Sequence, residues 1–200
     1  MPKVTQEYMD ARRQQILDAA RRCFLRDGFH STSMQDLFAE SGLSSGAVYR
    51  HFAGKDEVIT AIVEESMRDV LTMVQGVAKD RPNSSLGAVM ADILDTVKAK
   101  TAEQNLAGLS VLAWSEALRN PALFSQFNDL LAQMRSALTE VVREHQQSAT
   151  LTHEVSPEAL AAAFMCTLPG YILQLAMDDT KAMEGVPDAL RALWSDPAAS

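Results

Sequence analysis

Cysteine is scarce. Cys23 and Cys166 are the only two in 200 residues, too few for a disulfide framework and too far apart for a paired metal spacing. A reduced, cytoplasmic setting is therefore expected. The four histidines, His30, His51, His145 and His153, are scattered without ligand spacing, so no metal is expected. No run of about eighteen apolar residues occurs, which speaks against a membrane span. The first ten residues are polar and hold no signal-peptide core. There is no Gly-rich phosphate loop and no Ser-His-Asp grouping, and Glu64-Glu65 and Asp178-Asp179 read as solvated charge. Neither a cofactor nor catalysis is expected.

Apolar residues make up 47% of the chain, enough for a core that stands without staples. The net charge of −8 looks wrong for a nucleic-acid binder until it is divided. Residues 1–60 hold eight basic and eight acidic side chains, whereas residues 61–200 hold ten against eighteen. All the excess acid therefore lies on the second part. A nearly neutral first part must bind phosphate through a few well-aimed groups rather than bulk charge.

The apolar period is helical throughout and no strand alternation appears, so the fold class expected is all-α. Ile16, Ala19, Ala20, Cys23 and Phe24 share one face of a first helix that Gly28 ends, with Phe29 folded back on it. Ser33 and Asp36 have the spacing of a capping box. Gly42 sits where a left-handed residue must end a second helix, and Ser44 or Ser45 caps a third, through Val48, Tyr49 and Phe52. Two short helices joined by a glycine turn make a helix-turn-helix over about 33–52, whose second helix enters the DNA major groove.

The ordered motifs Ile16-Leu17-Asp18-Ala19-Ala20, Ser31-Thr32-Ser33, Ser41-Gly42-Leu43-Ser44, Gly46-Ala47-Val48-Tyr49-Arg50-His51-Phe52 and Lys55-Asp56-Glu57 closely resemble the DNA-binding domain of the TetR family of bacterial transcriptional regulators. The rest of the chain resembles the family only in length and helicity. The resemblance implies a DNA-binding domain over 1–54, a helical regulatory, ligand-binding and dimerisation domain over 55–195, and a tail over 196–200. It implies a ligand-responsive repressor of operator DNA, homodimeric through the stretches near Ser156–Met177 and Pro187–Trp194. The rival reading is a helical ligand-binding protein whose head has lost specific DNA readout, hinted at by the short Ser45 where many members carry a long side chain.

Within the head, Ser33, Ser44, Ser45 and Gly46 lie at helix N-termini and suit phosphate or base edges. Tyr49 and His51 resemble the family's backbone-contacting pair. Arg50 is the one long cation of its helix and the candidate base reader. Lys55 sits at a helix start, aimed at phosphate or else paired with Glu57. In the second part, methionines and aromatics at helical spacing suit either plain core or an adaptable pocket. The pocket candidates are Met67, Met90, Trp114, Glu116, Phe124, Phe127, Met134, Phe164 and Tyr171. With no cation on an inward stripe and Glu116 as counter-charge, a small apolar ligand that is neutral or cationic is expected.

Overall fold

The computed structural model describes residues 6–80, 84–147, 154–177 and 180–194, without the side chains of Met67, residues 77–80 and Thr180. The expected tail, the loop around Arg81-Pro82, His153 and Asp178-Asp179 lie outside the described residues, as does the side chain of Met67. No strand occurs among the described residues, and the chain is all-α. It divides into two compact units, Met1–Glu65 and Ser66–Ser200.

The first unit holds α1 (Gln6–Ser31), α2 (Met34–Ser41), α3 (Ser45–Tyr49) and the opening turns of α4 (Lys55–Asp80). Its core is Ile16, Leu17, Ala20, Cys23 and Phe24 of α1, closed over by Leu37, Val48, Phe52, Val58 and Ile62. Gly28 takes φ 80 and breaks the helix, a conformation that any Cβ would strain. The first helix ends there as expected, and one further helical turn, residues 29–31, completes α1 beyond the kink. Phe29 does fold back, meeting Phe24 edge-on with ring centroids 4.7 Å apart. The unit ends later than the expected boundary at residue 54, for a physical reason. Val58, Ile59 and Ile62 of α4 are buried, and Glu65 takes hydrogen bonds from Arg13 and Arg21 of α1, each at 2.7 Å.

The second unit contains the rest of α4, then α5 (Leu86–Gln104), α6 (Leu106–Ala117), α7 (Pro121–Gln147), α8 (Pro157–Ala176), α9 (Thr180–Met183) and α10 (Val186–Leu193). Asn105 separates α5 from α6: at φ 53 it adopts the left-handed conformation, and its side chain caps Gly108 N at 3.2 Å. Asparagine tolerates that region better than other side chains because it bonds locally. Asn120 and Ser156 cap α7 and α8 in the same way. A shared core runs through Val89, Ile93 and Leu94 of α5, Met134 and Leu138 of α7, and Phe164, Leu168 and Ile172 of α8. α8 has the length and composition of a membrane helix, with a mean hydropathy of 1.6. Its apolarity is used on one side at least by that core.

α10 lies close against α5, where Gly87 N donates to Trp194 O at 3.4 Å. Arg191 pairs with Asp95 at 2.6 Å and Asp92 at 3.1 Å. A Cβ on Gly87 would stand 2.3 Å from the Leu190 carbonyl oxygen, far inside contact distance and against backbone that cannot rotate away. Gly87→Ala should therefore lift α10 and cost about 1–3 kcal/mol, the usual range for overpacking. Thermal unfolding followed by circular dichroism checks this; an unchanged midpoint would mean that α10 is not docked.

Candidate nucleic-acid interface and cavity

The ends of α2 and α3 are set by short-range bonds. Ser33 Oγ accepts from Asp36 N at 3.3 Å and donates to the Asp36 carboxylate at 2.7 Å, while Ser33 N donates to the same carboxylate at 2.8 Å. These bonds, the hydroxyl first and the N–H second, hold the Asp36 carboxyl below its usual range. Gly42 closes α2 at φ 67. Ser44 is the N-cap of α3 and accepts from Ala47 N at 3.3 Å. α3 is shorter than the sequence suggests: it ends at Tyr49, and Arg50 and His51 form a turn that leads to buried Phe52. Val48 beneath it is fully buried.

Above that anchor, Ser44, Ser45, Gly46, Tyr49 and Arg50 are exposed and His51 is half-buried. The Tyr49 ring rests edge-on against Phe38 at 5.5 Å. Arg50 has no side-chain partner among the described residues. A groove of about 420 Å³ beside α3 is lined by Ser44, Gly46, Arg50 and His51 together with Tyr8, Met9 and Arg12 of α1. Arg12 and Tyr8 escaped the sequence reading. Their signal is the one-turn spacing that puts the Arg12 guanidinium 5.0 Å over the Tyr8 ring. Lys55 does not pair with Glu57. Its Nζ donates to Thr32 O at 3.0 Å and His30 O at 3.3 Å, gripping carbonyls at and just beyond the end of α1. Glu57, the alternative partner, instead accepts from Ala53 N at 2.6 Å.

The second unit holds a separate, open-mouthed cavity of about 420 Å³. Ser66 and Val70 of α4, Ser110, Ala113 and Trp114 of α6, and Phe127, Leu131, Met134 and Arg135 of α7 line it, facing Ala162, Met165, Cys166, Pro169 and Ile172 of α8. Of the candidates, Trp114, Phe127 and Met134 stand on its wall. Met90, Phe164 and Tyr171 are instead buried in the core, because α5 and α10 cover the side of the bundle on which they lie. Phe164 packs edge-on against Trp194 at 4.9 Å. Phe124 is exposed, and Glu116 is not among the lining residues. Arg135 is the lining cation that the helical stripes did not reveal. Tyr171 keeps a buried hydroxyl with no partner among the described residues, and burial pushes its phenol up.

A capped two-helix turn with an exposed polar edge, joined to a helical unit with an apolar cavity, defines a helix-turn-helix regulator. Residues 16–62 match the description "Bacterial regulatory proteins, tetR family", and residues 82–196 match "BetI-type transcriptional repressor, C-terminal". The chain is 29% identical over 191 residues to the HTH-type transcriptional repressor Rv1474c of Mycobacterium tuberculosis, covering 94% of this chain and 95% of that one. It is 31% identical over 189 residues to the HTH-type transcriptional regulator YfiR of Bacillus subtilis, covering 90% and 88%. The solved structure of Salmonella enterica GusR superposes with a TM-score of 0.74 at 26% identity, over 96% of this chain and 97% of that one. The chain belongs to the TetR family and is a DNA-binding transcriptional regulator.

The cap of α2 gives a stability test. Ser33→Ala should cost about 1 kcal/mol near neutral pH, the usual worth of an N-cap. Because the Asp36 pKa is depressed in the fold, its contribution is present above the unfolded value and lost as pH falls through the folded one. The gap between the wild type and Ser33→Ala should therefore narrow on acidification. Urea unfolding at neutral and acid pH measures it.

Proposed function

We propose that this regulator is a homodimeric repressor that reads operator DNA through α3 and releases it when a ligand enters the cavity of the second unit. What carries the DNA reading is Arg50: an exposed cation beside α3, unpaired among the described residues, standing over a fully buried Val48 and a buried Phe52. A base reader needs just this pairing of a free guanidinium with a fixed base. Tyr49, Ser44, Ser45, Gly46, His51 and Ser33 are assigned to the phosphates that flank it. Two heads about 34–36 Å apart reach successive turns of one DNA face. A ligand that binds better to a different arrangement of α4 lowers operator affinity by its differential binding energy. The regulator acts where the DNA lies, in the cytoplasm.

Lys55 has a double part in this scheme. An ammonium has three donors, and two are engaged with carbonyls at and just beyond the end of α1, which leaves one for a phosphate. The dimer is assigned to α8, whose residues from Ala159 to Met177 include no charge. Ala159, Ala163, Cys166, Gly170 and Leu173 are exposed on it. A Cβ on Gly170 would meet no atom within 4 Å beyond its chain neighbours and its own helix backbone.

Operator binding by gel shift on the DNA upstream of its own gene tests the whole reading; failure there favours the rival, a ligand binder without DNA readout. Arg50→Ala should cost about 1–3 kcal/mol per half-site and relax preference at one position of each half. Uniform weakening would make Arg50 a phosphate contact. Tyr49→Phe should weaken all sequences alike. Lys55→Ala should lower the salt slope by about one per half-site; an unchanged slope with a less stable head would confine Lys55 to holding α1. Gly170→Leu should yield a folded monomer with weak operator binding. Sedimentation that finds a full dimer with intact binding would remove α8 from the interface.

A further inference from the structure

The cavity's charge decides what kind of molecule fits it. Its walls are apolar and aromatic, with Trp114, Phe127, Met165 and Ile172 facing one another across α6, α7 and α8. Arg135 is the only charged side chain among the lining residues, and no carboxylate joins it. Arg135, Ala162 and Cys166 are exposed whereas Met134, Leu168 and Ile172 are buried. The cavity therefore opens between α7 and α8, with its cation at the mouth and its apolar part behind.

Arg135 meets no acceptor side chain among the described residues. The residues one turn away on α7, Leu131, Ala132, Leu138 and Thr139, include no acid, so the helix offers it no partner at the spacing where ion pairs form. Ser110 Oγ is already spent on Leu106 O at 2.8 Å.

We infer that the cavity takes an amphipathic anion, with its hydrocarbon body between Trp114 and Ile172 and its anionic oxygens on Arg135. This rests on the ligand-responsive reading above and replaces the neutral or cationic ligand that the sequence suggests. A guanidinium offers a planar fork of donors that matches a carboxylate or phosphate in two parallel bonds. A cationic ligand would meet like charge at the entrance and find no carboxylate on the walls. A cavity of about 420 Å³ falls within the usual range for small-molecule sites.

Four probes with one tail test it on the full-length protein: dodecanoate, dodecyl phosphate, dodecanol and dodecyltrimethylammonium. Trp114 lines the cavity, so its fluorescence reports occupancy, with calorimetry as the check on affinity. Dodecanoate or dodecyl phosphate should bind about fivefold to fiftyfold tighter than dodecanol, the range between an exposed ion pair and a charged hydrogen bond. The tighter of the two identifies the head group. The ammonium should bind weakest. Arg135→Ala, at an exposed position, should bring both anions down to the affinity of dodecanol and leave dodecanol unchanged, while Arg135→Lys should keep part of the difference. Leu131→Trp, at a half-buried position, should weaken every probe by filling the cavity. If dodecanol or the ammonium matches the anions, or if Arg135→Ala leaves their order intact, the anion assignment falls and the cavity remains a ligand site. If no probe binds wild type, the ligand-responsive reading falls with it.

Discussion

A helix of five residues cannot hold its own direction in water, since nucleation alone outweighs the few bonds it makes. Everything about the head follows from that constraint. Ser44 supplies the cap, Val48 and Phe52 sink into the α1 core, and Phe38 backs the Tyr49 ring. The bonds that aim α3 all lie on its inner side or at its ends. Its outer edge is left free for short polar groups and one arginine.

The second unit solves a different problem. Two of its helices, α6 and α8, are apolar almost all round, so they define a core easily but leave its shape to packing. The result is a dense region between α5, α8 and α10 and a looser one between α6, α7 and α8. Close packing in the first depends on backbone approach at Gly87, which no side chain could supply. The looser region is where the cavity lies, and its wall includes Pro169, a residue that withholds a backbone donor within a helix.

What could be read in advance divides along the same line. Ser33 with Asp36, Gly42 and Ser44 are local devices, and a few neighbouring residues contain all the information. The cavity is not local. Met90, Phe164 and Tyr171 share the spacing and chemistry of Trp114, Phe127 and Met134, and only the covering helices α5 and α10 separate core from wall. Because α6 and α8 lack a polar side, hydrophobic period could not say which face looks where. Arg135 was hidden for the same reason, as its neighbours on α7 look like surface. The structural grip of Lys55 was not legible because its acceptors are carbonyls at and just beyond the end of α1, twenty-three and twenty-five residues back in sequence.

The hold of Lys55 on those carbonyls, with that of Glu65 on Arg13 and Arg21, has a mechanical meaning. The first turns of α4 are fastened to α1 at two separated points, one near each end of the shared length. Two fixings remove the freedom to pivot that one would leave. The first turns of α4 are thus a fixed part of the head, held to α1 as one body up to Glu65.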